Sequence, residues 1–286
     1  MKKIAVIDVG SNSVRLMFVA DGKILYKALE ITRLGEGLAG SGRLLPDAIQ
    51  RSALAVKGFF DRAKAEGAER VAAYATAAVR SAENGADFVE RVYSLCGLLV
   101  DVISGEEEAE IGILGALGTQ DGGIIDVGGA STEIIVRTDG EIVYKKSVDV
   151  GVVRMKDVCG REVETIAAYA NNAVTEFGVV PKAVMYAIGG TATSIASIVL
   201  KQKVYDGSAV TGFSLTQEML AETVEYLANT SVEQVATETC VPQKRAEVIL
   251  GGAIWLLTIM KSCGIDRLIV SDADNLEGYA IKHQLL

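Results

Sequence analysis

The sequence predicts an α/β protein of two lobes, each a mixed sheet covered by helices, with a cleft between them. Two observations carry that prediction. The stretch from Val6 to Lys27 is repeated from Ile124 to Lys145 at a constant offset of 118, so that Ile7, Asp8, Val9, Gly10, Ser13, Asp21, Gly22, Ile24, Tyr26 and Lys27 recur as Ile125, Asp126, Val127, Gly128, Ser131, Asp139, Gly140, Ile142, Tyr144 and Lys145. Behind each copy, apolar runs of strand length alternate with segments whose apolar residues fall at helical spacing.

Each copy reads as a strand, a tight turn of small residues, a second strand, an Asp-Gly hairpin turn and a third strand. Glycine and short side chains at the first turn leave backbone N–H groups able to approach an anion, and a phosphate suits them. The aspartate ending the first strand, Asp8 or Asp126, would repel such a ligand unless a cation lies between them, and Mg²⁺ with its retained waters fits that position. Ordinary hairpin chemistry explains Asp21-Gly22 and Asp139-Gly140. It would explain a single copy of the other turn as well, but two copies, each with its aspartate, point to phosphate binding. Facing each other, the two turns would form a phosphate-and-metal clamp between the lobes.

With 286 residues, 50% of them hydrophobic, the chain can bury two cores. The N-terminal lobe is expected over residues 1–120, with a last helix at 275–286 packing back on it, and the C-terminal lobe over 121–274. A formal net charge of −9 disfavours general nucleic-acid binding, so a polyanion would be held by a local positive site and a metal. Cys96, Cys159, Cys240 and Cys263 lack paired spacing and His283 is the single histidine, which excludes a zinc-finger pattern and fits free thiols in a reducing cytoplasm. Met1-Lys2-Lys3 leads into a strand interrupted by Asp8, unlike a signal peptide. Val248 to Met260 is too short to span a bilayer and is flanked by Arg245, Glu247 and Lys261, so it reads as a core helix around Trp255, and no membrane is expected.

Between the two copies, Leu34 to Arg43 reads as a Gly-rich surface loop, Pro46 to Glu66 as a helix, Val71 to Ala75 as a strand, and Ser81 to Gly97 as a second helix. Leu98 to Ile103 is a strand, and Ser104-Gly105-Glu106-Glu107 matches a capping box heading a helix to about Leu117. After the second copy come a helix from Val163 to Phe177, a strand from Val184 to Ile188 that Gly189 and Gly190 turn into a helix, and a polar excursion from Lys201 to Gly212. Helices at Thr216–Ala228, Val232–Thr237 and Gln243–Ser262, a buried strand at Leu268–Ser271 and a helical end from Asn275 to Leu286 complete the pattern.

Five segments occur in order: Ile7-Asp8-Val9-Gly10-Ser11-Asn12-Ser13-Val14-Arg15-Leu16, Thr76-Ala77-Ala78-Val79-Arg80, Ile103-Ser104-Gly105-Glu106-Glu107-Glu108-Ala109, Ile125-Asp126-Val127-Gly128-Gly129-Ala130-Ser131-Thr132-Glu133, and Gly189-Gly190-Thr191-Ala192-Thr193. Over nearly the whole chain they resemble the exopolyphosphatase and guanosine pentaphosphate phosphatase (Ppx/GppA) family, within the actin, sugar-kinase and heat-shock ATPase superfamily. The resemblance implies a two-lobed actin-like (ribonuclease H-like) ATPase fold, Mg²⁺-dependent removal of a terminal phosphate from a phosphoanhydride chain, and a homodimer.

The resemblance also puts the catalytic base on Glu108. The residues alone do not separate it from Glu106 or Glu110, because acidic side chains at a helix start also favour the macrodipole. Arg80, a fork-shaped donor past a strand end, is a candidate phosphate clamp, with a surface pairing to Glu83 as the alternative. Asp8 and Asp126 are candidate metal ligands, joined by Glu133 for metal and water positioning. Ser11, Asn12, Ser13, Gly128, Gly129, Ala130, Ser131 and Thr132 would offer backbone and hydroxyl donors to phosphate, with Arg15 lining the cleft. Gly189, Gly190 and Thr191 resemble the superfamily's nucleotide-side glycines, although a strand-to-helix turn explains them nearly as well.

Three departures from the family pattern are expected to matter: Ala130 in place of a third glycine, Ala273 and Leu276 in place of basic residues, and a length that leads us to expect no appended helical domain. The reading is therefore an exopolyphosphatase acting on inorganic polyphosphate, with short chains expected because no extended basic channel is evident. The alternatives are guanosine pentaphosphate 5′-phosphatase, a phosphotransferase, and a sensor that binds without turnover.

Overall fold

Lys3–Val9 (β1), Ser13–Ala20 (β2) and Lys23–Ile31 (β3) form the first antiparallel meander, and its hairpin turn puts Asp21 and Gly22 at φ 47° and 74°. Both values lie in the left-handed region that a tight two-residue turn requires. The structure is a computed structural model describing residues 2–285, and it divides into two units, Met1–Gly115 with Asn275–Leu286, and Ala116–Asp274.

In the first unit the chain continues through Leu38–Ser41 (α1), Pro46–Ala65 (α2), Arg70–Ala75 (β4), Ala77–Ser81 (α3), Gly85–Cys96 (α4), Val100–Val102 (β5) and Gly105–Leu117 (α5). β4 and β5 add in parallel to give the order β3-β2-β1-β4-β5. Two expectations change here. Leu34 to Arg43 is more than a surface loop, since Leu34 and Leu38 are buried and α1 forms inside it. The helix expected from Ser81 starts at Gly85, because Ser81 closes the short α3.

The second unit repeats the meander with Gly122–Val127 (β6), Thr132–Thr138 (β7) and Glu141–Val148 (β8). Even the irregularity is copied: the register slips between Phe18 and Val19, and again between Val136 and Arg137, 118 residues later. Val152–Cys159 (α6), which the sequence reading did not anticipate, is followed by Val163–Ala173 (α7), Met185–Ile188 (β9), Gly189–Val199 (α8) and Gly207–Val210 (α9). Ser214–Thr216 (β10, also unanticipated), Gln217–Asn229 (α10), Val232–Glu238 (α11), Gln243–Ser262 (α12) and Arg267–Val270 (β11) complete a sheet ordered β10-β11-β9-β6-β7-β8. α12 is the buried centre of this unit, with Trp255 fully enclosed.

Asn275–Lys282 (α13) belongs to the first unit and covers the sheet face opposite α2 and α4. Tyr279 stacks on Tyr74 at 4.4 Å, and His283 stacks on Tyr279 at 4.1 Å. Gly278 allows the approach to α5: a Cβ there would lie 1.7 Å from the Ile111 carbonyl oxygen. Leu276, which stands where the family pattern has a basic residue, is 1% exposed in this core, so the position serves packing. The expected helical end at Leu286 lies outside the described residues. Among the described residues, no helix is long and apolar enough to cross a membrane.

Candidate active site

The two turns expected to bind phosphate share one hydrogen-bond scheme. Gly10 N–H donates to the Ser13 carbonyl at 3.0 Å, and Gly128 N–H to the Ser131 carbonyl at 3.0 Å. Gly128 is thus removed from the expected donors, because its N–H is used inside the turn. The N–H groups of Ser11 and Asn12, and of Gly129 and Ala130, have no backbone acceptor among the described residues.

Donors from elsewhere in each unit take up the carbonyls of these turns. Gly35 N–H bonds the Ser11 carbonyl at 2.8 Å, and Val153 N–H bonds the Gly129 carbonyl at 2.8 Å, again 118 residues apart. The duplication therefore persists in the backbone after residue identity has faded. In the first unit Thr32 and Arg33 also donate to the Asn12 carbonyl, at 3.0 and 2.9 Å, and Arg33 sits at φ 52° to do so. In the second unit the first turn of α6 does this work, with Val152 N–H on Gly128 at 3.0 Å and Arg154 N–H on Gly129 at 3.2 Å. With its acceptors satisfied in this way, each turn keeps donors for an anion. Asn12 adds a buried side-chain amide, 8% exposed, whose Oδ1 has no hydrogen-bond partner. Such a group normally has one.

Side chains distinguish the two copies. Asp8 and Arg15 are cross-strand partners, and the Arg15 guanidinium binds Asp8 Oδ2 through Nε at 2.9 Å and through its Nη2. The equivalent partners in the second copy are Asp126 and Glu133, two carboxylates. Glu133 is 3% exposed and accepts from Ser147 Oγ at 2.7 Å. Asp126 lies against the start of α8, where Gly189 adopts φ 77° and a Cβ would come within 2.5 Å of Asp126 Oδ1. Only glycine fits there, and the helix N-terminus favours the carboxylate beside it.

Two expected phosphate or nucleotide donors are occupied elsewhere. The Thr132 hydroxyl donates to the Val150 carbonyl at 2.5 Å and accepts from Trp255 Nε1 at 2.8 Å, which ties α12 to the turn. The Thr191 hydroxyl donates to the Val127 carbonyl at 2.7 Å. Gly190 is overlaid by the Arg245 guanidinium, which donates to its carbonyl at 3.0 Å and would lie 2.4 Å from a Cβ. Ser13 is half-buried and Ser131 is 4% exposed, both at the ends of their turns.

Glu107, Glu108 and Glu110 at the head of α5 differ in their partners. Ser104 caps the helix by accepting from Glu107 N–H at 3.0 Å, but the Glu107 carboxylate turns to Lys282 at 3.2 Å and His283 at 3.3 Å. Glu110 pairs with Lys282 at 2.9 Å. Glu108, 8% exposed, pairs with Arg80 at 2.8 Å. The alternative of Arg80 bonding Glu83 fails, since Glu83 pairs with Arg43 at 3.2 Å. A single Arg80 nitrogen, Nη1, serves both Glu108 and the Ile103 carbonyl, at 2.8 and 3.1 Å.

Duplicated meanders on mixed α/β units of this sheet order, each turn with N–H groups left without a backbone acceptor among the described residues, define a protein of the actin-like type. Residues 6–284 match the model of the Ppx/GppA phosphatase family, and the chain belongs to that family. It is 29% identical over 314 residues to exopolyphosphatase 2 of Mycobacterium tuberculosis, covering 98% of each chain. It is also 29% identical to a guanosine-5′-triphosphate,3′-diphosphate pyrophosphatase of Vibrio cholerae, covering 96% of this chain and 58% of that one. The crystal structure of the Aquifex aeolicus family member superposes with a TM-score of 0.79 at 29% identity, over 99% of this chain and 98% of that one.

Proposed function

We propose that the protein is an exopolyphosphatase that hydrolyses the terminal phosphoanhydride bond of short inorganic polyphosphate with Mg²⁺. The Arg80–Glu108 pair carries this reading. It fixes a carboxylate as the base for a water, next to a guanidinium whose remaining nitrogens suit phosphate oxygens. The full-length relation to a protein named exopolyphosphatase supports the substrate class.

Mg²⁺ takes hard oxygen ligands and keeps several waters, using one or two carboxylates and the substrate's phosphates for the rest. The paired carboxylates of Asp126 and Glu133 fit that demand. At Asp8 the Arg15 guanidinium already holds Oδ2, so the second copy's carboxylates are the preferred metal ligands in this reading. When bound, the metal would offset charge on the transferred phosphoryl group. Within the first unit Ser11 and Asn12, and within the second Gly129 and Ala130, would offer their N–H groups to phosphate, and Glu108 would accept the water's proton. The position of Arg245 over Gly190 disfavours close approach of a nucleoside there and supports inorganic chains over guanosine pentaphosphate.

The test is inorganic phosphate release from short polyphosphate, long polyphosphate and guanosine pentaphosphate, with and without Mg²⁺. Preference for the nucleotide would reverse the substrate assignment. Transfer of phosphate to an acceptor would indicate a kinase, and binding without product a sensor. A homodimer in the cytoplasm is part of the same proposal and is checked by solution mass and by fractionation.

A further inference from the structure

Arg154 lies outside every motif read from the sequence. It is the third residue of α6, whose first turn is bonded to the second phosphate turn through Val152, Val153 and Arg154 N–H groups. Its half-buried side chain reaches the same turn and donates from Nε to the Ala130 carbonyl at 3.1 Å. That bond uses one of its three nitrogens. Fixing a guanidinium at its stem leaves a planar fork with little entropy left to lose on meeting an anion. The fork is anchored on the residue whose own N–H, with that of Gly129, has no backbone acceptor among the described residues. At the equivalent position of the first unit stands Glu36, paired with Arg51 at 3.4 Å, so this cation belongs to the second turn alone. The second meander is also the one with two carboxylates, Asp126 and Glu133, and there a phosphate most needs added positive charge.

We infer that Arg154 is a substrate-binding residue, donating from its two terminal nitrogens to the oxygens of a phosphate seated in the Gly129–Ala130 turn. The inference rests on the phosphoanhydride reading above.

The experiment compares the full chain with Arg154→Ala and Arg154→Lys, using tripolyphosphate and Mg²⁺. Loss of a charge-assisted fork should raise KM about tenfold in Arg154→Ala, with kcat within about twofold. Inhibition by inorganic phosphate should weaken in parallel. Arg154→Lys should recover only part, since a point charge does not replace the fork. KM should also rise more steeply with KCl in the parent than in Arg154→Ala. Unchanged KM and phosphate inhibition would overturn the inference. So would a fall in melting temperature and kcat at constant KM, which would make Arg154 only a staple for Ala130. If the parent protein releases no phosphate, the functional reading fails, and calorimetric binding of tripolyphosphate still decides this one. About tenfold weaker binding by Arg154→Ala supports it, whereas equal affinity, or no binding by either, overturns it.

Discussion

Replacing Glu108 with Gln separates chemistry from architecture at the Arg80–Glu108 pair. Glutamine keeps an acceptor for Arg80 Nη1 and nearly the same shape, but it cannot take a proton at neutral pH. The two side chains are 28% and 10% exposed, so the pair is only partly screened. Arg80 stays charged, so the bond falls from ion–ion to ion–dipole rather than to a neutral pair, and the exchange should cost about 1 kcal/mol. In a chain of this size that lowers the melting temperature by about 2–4 °C. Loss of a positioned general base should reduce kcat by roughly 10²–10⁴-fold. Phosphate release from tripolyphosphate and thermal unfolding, measured on the same preparation, give both numbers. Turnover within threefold of the parent would remove Glu108 as the base, and a collapse of the fold would mean the pair is chiefly structural.

Asp8 and Arg15 should behave as a unit: Arg15→Met leaves a buried carboxylate poorly matched and should cost about 3 kcal/mol, with the Asp8→Asn, Arg15→Met double variant regaining a large part, as read by urea unfolding. Gly278→Ala drives a methyl group against the Ile111 carbonyl, so α13 must shift; a loss of about 2 kcal/mol or more is expected, with earlier proteolysis of the C-terminal segment. Burial pushes the Tyr144 phenol up to about 12. The folded state therefore holds that proton more tightly than the unfolded chain does, and the associated stability is intact below about pH 10 and is lost as pH rises toward 12. Tyr144→Phe should flatten the fall in stability over that window, at the expense of the bond to the Phe177 carbonyl.

The sequence by itself determined the duplication and its strands, because period-two apolar runs, Asp-Gly turns and a constant offset are local properties that survive without tertiary context. It also marked Asp8, Asp126 and Arg80 as candidate site residues and, through the family resemblance, Glu108. Tertiary structure decided how those residues are used. Arg15 and Glu133 occupy equivalent positions, yet one neutralises its aspartate while the other doubles the negative charge, and that contrast becomes visible once strand register is known. The family resemblance picks out Glu108, but its physical separation from Glu107 and Glu110 comes from Lys282 and His283, some 175 residues away in sequence, on α13 and just past its end. The roles of Thr132, Thr191 and Arg154 were equally hidden, since a hydroxyl or guanidinium commits itself to whichever partner packing brings within about 3 Å, and sequence spacing carries no record of that distance.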